Sequence, residues 1–140
     1  MRAFVFMNRL FEYECSEAGL SLVQYRMLLY LRHGPKRAGE LANQASITRP
    51  SLSGIVSTLE KQKLLHRTTV HADRRGVRLE LTRAGTEAIE RIESRCGEVL
   101  DSVAADCDTD ALMSSLDELA TAMSDQIEAR VRADVPPRPE

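Results

Sequence analysis

Asp73-Arg74-Arg75-Gly76-Val77-Arg78-Leu79-Glu80-Leu81-Thr82 is the stretch that decides how this chain folds. A short basic turn, Asp73 to Gly76, runs straight into strict alternation. Val77, Leu79 and Leu81 share one face of a strand, and Arg78, Glu80 and Thr82 share the other. The strand is therefore expected to be half-buried, with one side open to water. An arginine pair at the tip of such a hairpin, held off the body of the protein, has the shape that enters a DNA minor groove. A solvated surface turn would look the same on these residues alone.

The residues upstream separate the two readings. Residues 39–64 read as two helices joined by a tight turn. The first, about Ala38 to Gln44, carries Leu41, Ala42 and Ala45 at helical spacing, with Gly39 as a start signal. The turn is Ser46-Ile47. Thr48 is then a good N-cap, and Pro50 falls near the first helical position, where a missing N–H costs nothing. The second helix runs to about Leu64, with Leu52, Ile55, Val56 and Leu59 as its buried stripe. Its exposed first turns offer Arg49, Ser51, Ser53, Ser57 and Thr58, and small hydroxyl residues beside an arginine let a helix sit close to base edges and phosphates. Helix, turn, polar-nosed helix and basic hairpin together make a winged helix-turn-helix. The candidate DNA-contacting residues are Thr48, Arg49, Pro50, Ser51, Ser53 and Ser57 on the second helix, with Arg67, Asp73, Arg74 and Arg75 on the hairpin. Asp73 is expected to orient a neighbouring arginine, or Arg67 at the base of the hairpin, through an ion pair.

On these residues the chain resembles the MarR family of bacterial transcription regulators. The family's wing pattern D-x-R-x-x-x-L-x-L-T is matched at each fixed position by Asp73, Arg75, Leu79, Leu81 and Thr82. Leu22 through Leu31, with Gln24 and Leu28, resembles the family's second helix. Glu40-Leu41-Ala42 followed by Ile47-Thr48-Arg49 resembles its helix-turn-helix. The likeness spans roughly residues 1–132. It implies an obligate homodimer, usually an autoregulatory repressor released from DNA by a small ligand or an oxidant. One departure stands out: where such sequences have Lys-Lys-Gly-Leu before the wing, this chain has Lys61-Gln62-Lys63-Leu64. A helix end often needs a left-handed residue, and lysine there costs about 1 kcal/mol relative to glycine.

Composition agrees with a small folded chain. Its 140 residues are 43% hydrophobic, enough for one core, while 4% aromatic content is too little for a base-stacking RNA platform. No apolar run approaches the roughly 20 residues that cross a membrane. The opening Met-Arg-Ala-Phe-Val-Phe-Met is too short for a signal peptide, and three cysteines without paired spacing suit a reducing compartment, so a cytoplasmic location is expected. The net charge of −2 is unevenly placed: residues 36–83 hold ten Lys/Arg against four Asp/Glu, and residues 84–140 hold five against fourteen. The basic excess thus falls on the helix-turn-helix and wing, as duplex binding requires.

The acidic remainder reads as two long helices. From about Arg83 to Ala105, Ile89, Ile92, Cys96, Val99 and Val103 recur at steps of three and four. From Thr109 to about Ala133, Leu112, Leu116, Leu119, Met123 and Ile127 do the same, with Thr109 or Asp108 as the cap. An N-terminal helix with Phe4, Met7, Leu10 and Phe11 supplies a third stripe. An intrachain bundle would satisfy these stripes; interlocking across a two-fold axis is favoured, because a reader of palindromes needs a dimer. The fold class is then mainly α (α+β), a winged helix-turn-helix with a two-stranded wing and long N- and C-terminal dimerisation helices. Residues 1–20 form the N-terminal dimerisation helix, 21–83 the DNA-binding region and 84–133 the C-terminal dimerisation helices. The Pro-rich residues 134–140 form a disordered tail.

The effector is least determined. The resemblance implies a small-molecule pocket between the N-terminal helices and the long fifth helix. There Arg9, Tyr13, Tyr25, Arg26, Tyr30 and His33 could orient an anionic aromatic or acyl-thioester ligand, although each could equally be structural and Tyr25 a core anchor. An oxidant sensor would use a cysteine, but peroxide-sensing relatives carry theirs well before the second helix, and Cys15 lies only six residues before Ser21. Cys96 reads as a small apolar core residue. His33, His66 and His71 lack ligand spacing, so no metal or cofactor is expected. There is no Gly-rich phosphate loop and no nucleophile–base spacing, so no enzymatic activity is expected. A winged helix used only for protein contacts remains the rival from another class, and it would not need so basic a segment.

Overall fold

A computed structural model describes residues 2–69, 77–105 and 108–133. Elements follow in the order α1 (Arg2–Glu17), α2 (Leu22–Arg32), β1 (Lys36–Arg37), α3 (Ala38–Ala45), α4 (Arg49–Lys61), β2 (Leu65–Thr69), β3 (Val77–Leu81), α5 (Arg83–Val103) and α6 (Thr109–Ala133). The chain divides into two compact units, residues 1–98 and 99–140.

Local chemistry sets most of the boundaries in the first unit. Gly19 at φ 72° stops α1, and the Leu20 N–H turns back to the Cys15 carbonyl at 2.9 Å. Ser21 then opens α2 with a reciprocal capping box. Its hydroxyl accepts from the Gln24 N–H at 3.2 Å, and the Gln24 side chain accepts from the Ser21 N–H at 2.7 Å. Glu40 serves α3 in the same way, accepting from the Arg37 N–H at 3.0 Å. Arg37 is therefore the residue that precedes α3, and Gly39 lies inside the helix rather than marking its start. Ser46 takes the left-handed conformation at φ 54°, which makes the turn between α3 and α4.

Among the described residues the sheet has three antiparallel strands in the order β1-β3-β2, the expected two-stranded wing of β2 and β3 with a further strand, β1, beside it. β2 and β3 form the hairpin, with Leu65 opposite Leu81, Arg67 opposite Leu79 and Thr69 opposite Val77. The added strand is only two residues long, pairing Lys36 with Leu79 and Arg37 with Arg78. Two residues carry no period for sequence reading to detect. Burial along β3 also fades outward: Leu79 is buried and Leu81 half-buried, but Val77 near the hairpin tip is exposed.

The core gathers Leu28 and Leu31 of α2, Leu41 of α3, Leu52, Val56 and Leu59 of α4, Leu65 and Leu79 of the sheet, and Ile89 and Ile92 of α5. Every helix of the helix-turn-helix thus commits an apolar stripe to one shared interior, which fixes the outward faces by default. The stripe expected along α5 divides. Ala88, Ile89, Ile92 and Cys96 are buried in this core, while Val99 and Val103 are exposed. Buried Glu14 of α1 pairs with Arg95 of α5 at 3.5 Å.

Helix α4 ends earlier than Leu64. Gln62 is its C-cap, and Lys63 follows at φ 59°. The lysine noted in the sequence therefore occupies the left-handed position itself. Its carbonyl accepts from the Thr82 hydroxyl at 2.8 Å and its N–H donates to the Glu60 carbonyl at 2.9 Å, bonds that a glycine would keep. Lys63→Gly should accordingly raise stability by about 0.5–1 kcal/mol. Thermal or urea melting checks this, and a clear loss of stability would contradict it.

In the second unit, Asp108 caps α6, accepting from the Ala111 N–H at 3.1 Å. Leu112, Met113, Leu119 and Met123 along α6 are all exposed. The Ile127 side chain, Cys107 and the tail from residue 134 lie outside the described residues.

Candidate nucleic-acid interface

Leu52, Val56 and Leu59 point inward with Ile55 half-buried beside them, so the opposite side of α4 faces solvent. Arg49, Pro50, Ser51, Ser53, Gly54, Ser57 and Thr58 are all exposed. Thr48 is spent on the cap: its hydroxyl accepts from the Ser51 N–H at 3.4 Å and meets the Ser51 hydroxyl at 2.9 Å. At 100° per residue, Ser51 and Ser53 fall on opposite flanks of the helix, and Ser57 lies nearer the outward ridge. Arg49 also leaves from a flank. Its terminal nitrogen lies 3.6 Å from where a Cβ on Gly39 would stand, so the guanidinium crosses the start of α3.

A groove of about 580 Å³ runs between the start of α3, the flank of α4 and the sheet, with Arg37, Arg49 and Arg67 on its walls against the single carboxylate of Glu40. Arg67 on β2 is held by Glu60 at the end of α4, its Nε lying 3.0 and 3.1 Å from the two carboxylate oxygens. The expected ion-pair partner, Asp73, lies outside the described residues with Arg74 and Arg75. Glu60 was the residue missed, and only the fold brings it near: it ends one element while Arg67 lies in the next. The exposed faces of β2 and β3 are tied by the Thr68 hydroxyl, which donates to Glu80 at 3.0 Å, and by His66, 3.5 Å from the same carboxylate. These cross-strand links stiffen the β2–β3 pair.

Of the six residues suggested for an effector, Arg9 and Tyr13 lie on α1, Tyr25, Arg26 and Tyr30 on α2, and His33 is the C-cap of α2. Tyr25 is buried against Phe11, ring centres 6.1 Å apart, with its hydroxyl 3.5 Å from Glu93. Burial, and secondarily the Glu93 charge, pushes its phenol well above its ordinary pKa, as befits a core anchor. Glu93 in turn accepts two bonds from Arg32, at 2.8 and 2.6 Å, which clamps α2 to α5. Arg26 donates to the Tyr30 hydroxyl at 3.1 Å, one turn along α2. Arg9, Tyr13 and His33 are exposed. Neither of the two cavities described includes any of the six.

Cys15 and Cys96 are both buried. Desolvation first, then the neighbouring Cys96 sulfur, raises the Cys15 thiol to about 11, and burial raises Cys96 as well. Reactive cysteines need the opposite shift and an open approach. Cys15 and Cys96 should therefore resist iodoacetamide at neutral pH until the chain is denatured, as mass spectrometry would show; rapid native labelling of either would contradict this. Among the described residues no cluster of His, Cys, Asp or Glu could hold a metal, and no helix is long and apolar enough to cross a membrane.

A recognition-type helix presented outward, a three-stranded sheet ending in a basic hairpin and long flanking helices define a winged helix-turn-helix protein. The model of the MarR family matches residues 18–76. The chain is 37% identical over 89 residues to the HTH-type transcriptional regulator FarR of Neisseria gonorrhoeae, a match spanning 63% of this chain and 61% of that protein. Among solved structures, NadR in complex with 4-hydroxyphenylacetate is 31% identical, with a TM-score of 0.67 and 86% of each chain covered. The transcriptional regulator Tm0710 of Thermotoga maritima is 27% identical, with a TM-score of 0.68, 91% of this chain and 95% of that one covered.

Proposed function

We propose that this chain is a homodimeric, cytoplasmic, sequence-specific DNA-binding regulator. On this reading it represses transcription until a small anionic aromatic ligand releases it. The observation that carries the reading is the outward face of α4, flanked by Arg49 and Arg67 and backed by the segment in which ten basic residues outnumber four acidic ones. That surface offers hydroxyls and arginines to base edges and phosphates. Exposed Phe4 and Phe6 on α1 and the bare apolar side chains of α6 support a second copy as the partner that covers them. The likeness to NadR, solved with 4-hydroxyphenylacetate, supports an aromatic carboxylate as the effector class.

Selection of binding sites from a random-sequence duplex library tests the reading. The full chain should enrich a near-palindrome whose half-sites lie about one helical turn apart. 4-Hydroxyphenylacetate should then lower affinity for that duplex. A library that emerges without enrichment contradicts DNA reading by this fold.

A further inference from the structure

The centre of the outward face of α4 is a glycine. Counting 100° per residue, Gly54 lies about 170° from the mean direction of Leu52, Val56 and Leu59, in line with Pro50 one turn earlier. Among the described residues nothing explains its position. It is exposed, it has no positive φ, and a Cβ built there would meet nothing within 4 Å. Other helical glycines are less open: Gly85 lies against the Leu64 carbonyl, and Gly39 is half-buried, with Arg49 in ordinary contact range of a Cβ there. Gly97 of α5 also faces open space, but it is half-buried. Glycine inside an exposed helix weakens it through backbone entropy, so folding alone would favour alanine at 54. The neighbouring hydroxyls leave the ridge smooth as well: Thr58 donates back to the Gly54 carbonyl at 3.1 Å, and Ser51 is engaged with Thr48 at 2.9 Å.

We infer that Gly54 is the point of closest approach between α4 and the floor of the major groove, and that Pro50 and Gly54 together read thymine 5-methyl groups there. This rests on the DNA-binding reading above and adds the determinant of specificity. A ridge with no side chain at its centre lets the helix axis sink toward the base pairs. Its ring and bare backbone offer apolar surface, for which the matching base feature in the major groove is the thymine methyl. Arg49, Arg67 and the hairpin, placed to the sides, would then position the helix on phosphates.

Gly54→Ala and Gly54→Leu test this on the duplex that the wild-type chain enriches from a random library. Both variants should melt at or above the wild-type temperature. Gly54→Leu should lose at least about tenfold in affinity, the scale of one lost base-pair contact, and Gly54→Ala less. Replacing thymines one at a time by deoxyuridine should weaken wild-type binding at one or more positions of each half-site, and Gly54→Leu should lose that sensitivity. A lower melting temperature in Gly54→Ala would reveal an intrachain role and overturn the inference. So would Gly54→Leu binding with unchanged affinity and unchanged deoxyuridine sensitivity, although DNA binding itself would stand. Failure of the wild-type chain to enrich any duplex removes the DNA reading, and this inference with it.

Discussion

Gly85→Ala is expected to cost about 3 kcal/mol, a large share of the stability of a chain this size. Gly85 sits in the first turn of α5, where the hairpin returns to the helical body. The Thr82 hydroxyl caps that turn by accepting from the Gly85 N–H at 3.0 Å, and the same hydroxyl donates to the Lys63 carbonyl at 2.8 Å. The Thr82 N–H meanwhile donates to the Leu64 carbonyl at 3.1 Å. One threonine thus joins the end of α4 to the start of α5, and α5 is drawn so close that a Cβ on Gly85 would run into the Leu64 carbonyl oxygen and stand 2.7 Å from Leu81 Cδ1. A leucine methyl can rotate away, but a backbone carbonyl inside a turn cannot. The helix must shift, which breaks the cap and loosens Ile89 and Ile92 in the core. A drop in melting temperature of roughly 10 °C should follow. A melt within a degree or two of wild type would mean that the turn yields easily.

Leu119→Asp combined with Met123→Asp should produce a soluble monomer whose operator affinity falls by about a hundredfold or more. Both side chains are exposed on α6, where a charge costs the isolated chain little, so a large effect requires a partner to have been covering them. A monomer grips one half-site and forfeits the second, whose binding is intramolecular once the first is held. Light scattering and titration on the selected duplex read the two consequences separately. A variant that stays dimeric would remove α6 from the interface. Substitution is a cleaner probe than a cut at residue 84, which would also strip Ala88, Ile89, Ile92 and Cys96 from the core.

The winged helix-turn-helix was legible because its signals are local. Thr48 as cap, Pro50 beside it and the Leu52–Val56–Leu59 stripe each need only a few neighbouring residues to interpret. The same holds for the left-handed strain suspected around Lys63, which the structure places at φ 59°. What stayed hidden depends on distant partners. Lys36 and Arg37 form a strand only because β3 lies beside them. Arg67 finds Glu60 only once the chain has turned between α4 and β2. Helix periodicity marks the α5 stripe as apolar but cannot say which part packs within the chain, and Ile89 and Val103 read alike in sequence. Gly85 left a faint signal, a glycine three residues after a capping threonine. Gly54 left a clearer one, since an interior helical glycine is unfavourable enough to require a reason.

The salt dependence of duplex binding by Arg75→Ala tests the central claim most directly. Arg75 belongs to the basic stretch of sequence between β2 and β3, and the claim is that this hairpin is a wing that lies against the minor groove and its phosphates. There readout is mostly of width and charge, so sequence should matter little to its contribution. Wild-type chain and variant should be titrated on the selected duplex and on a scrambled one, from low to high salt. Arg75→Ala should weaken binding to both duplexes by similar factors and flatten the slope of log affinity against log salt by about one phosphate per subunit. Arg49→Ala, measured alongside, should cost about 1–3 kcal/mol mainly on the selected duplex if it reads a guanine. Unchanged affinity and unchanged slope in Arg75→Ala would mean that the hairpin is not a DNA-binding wing.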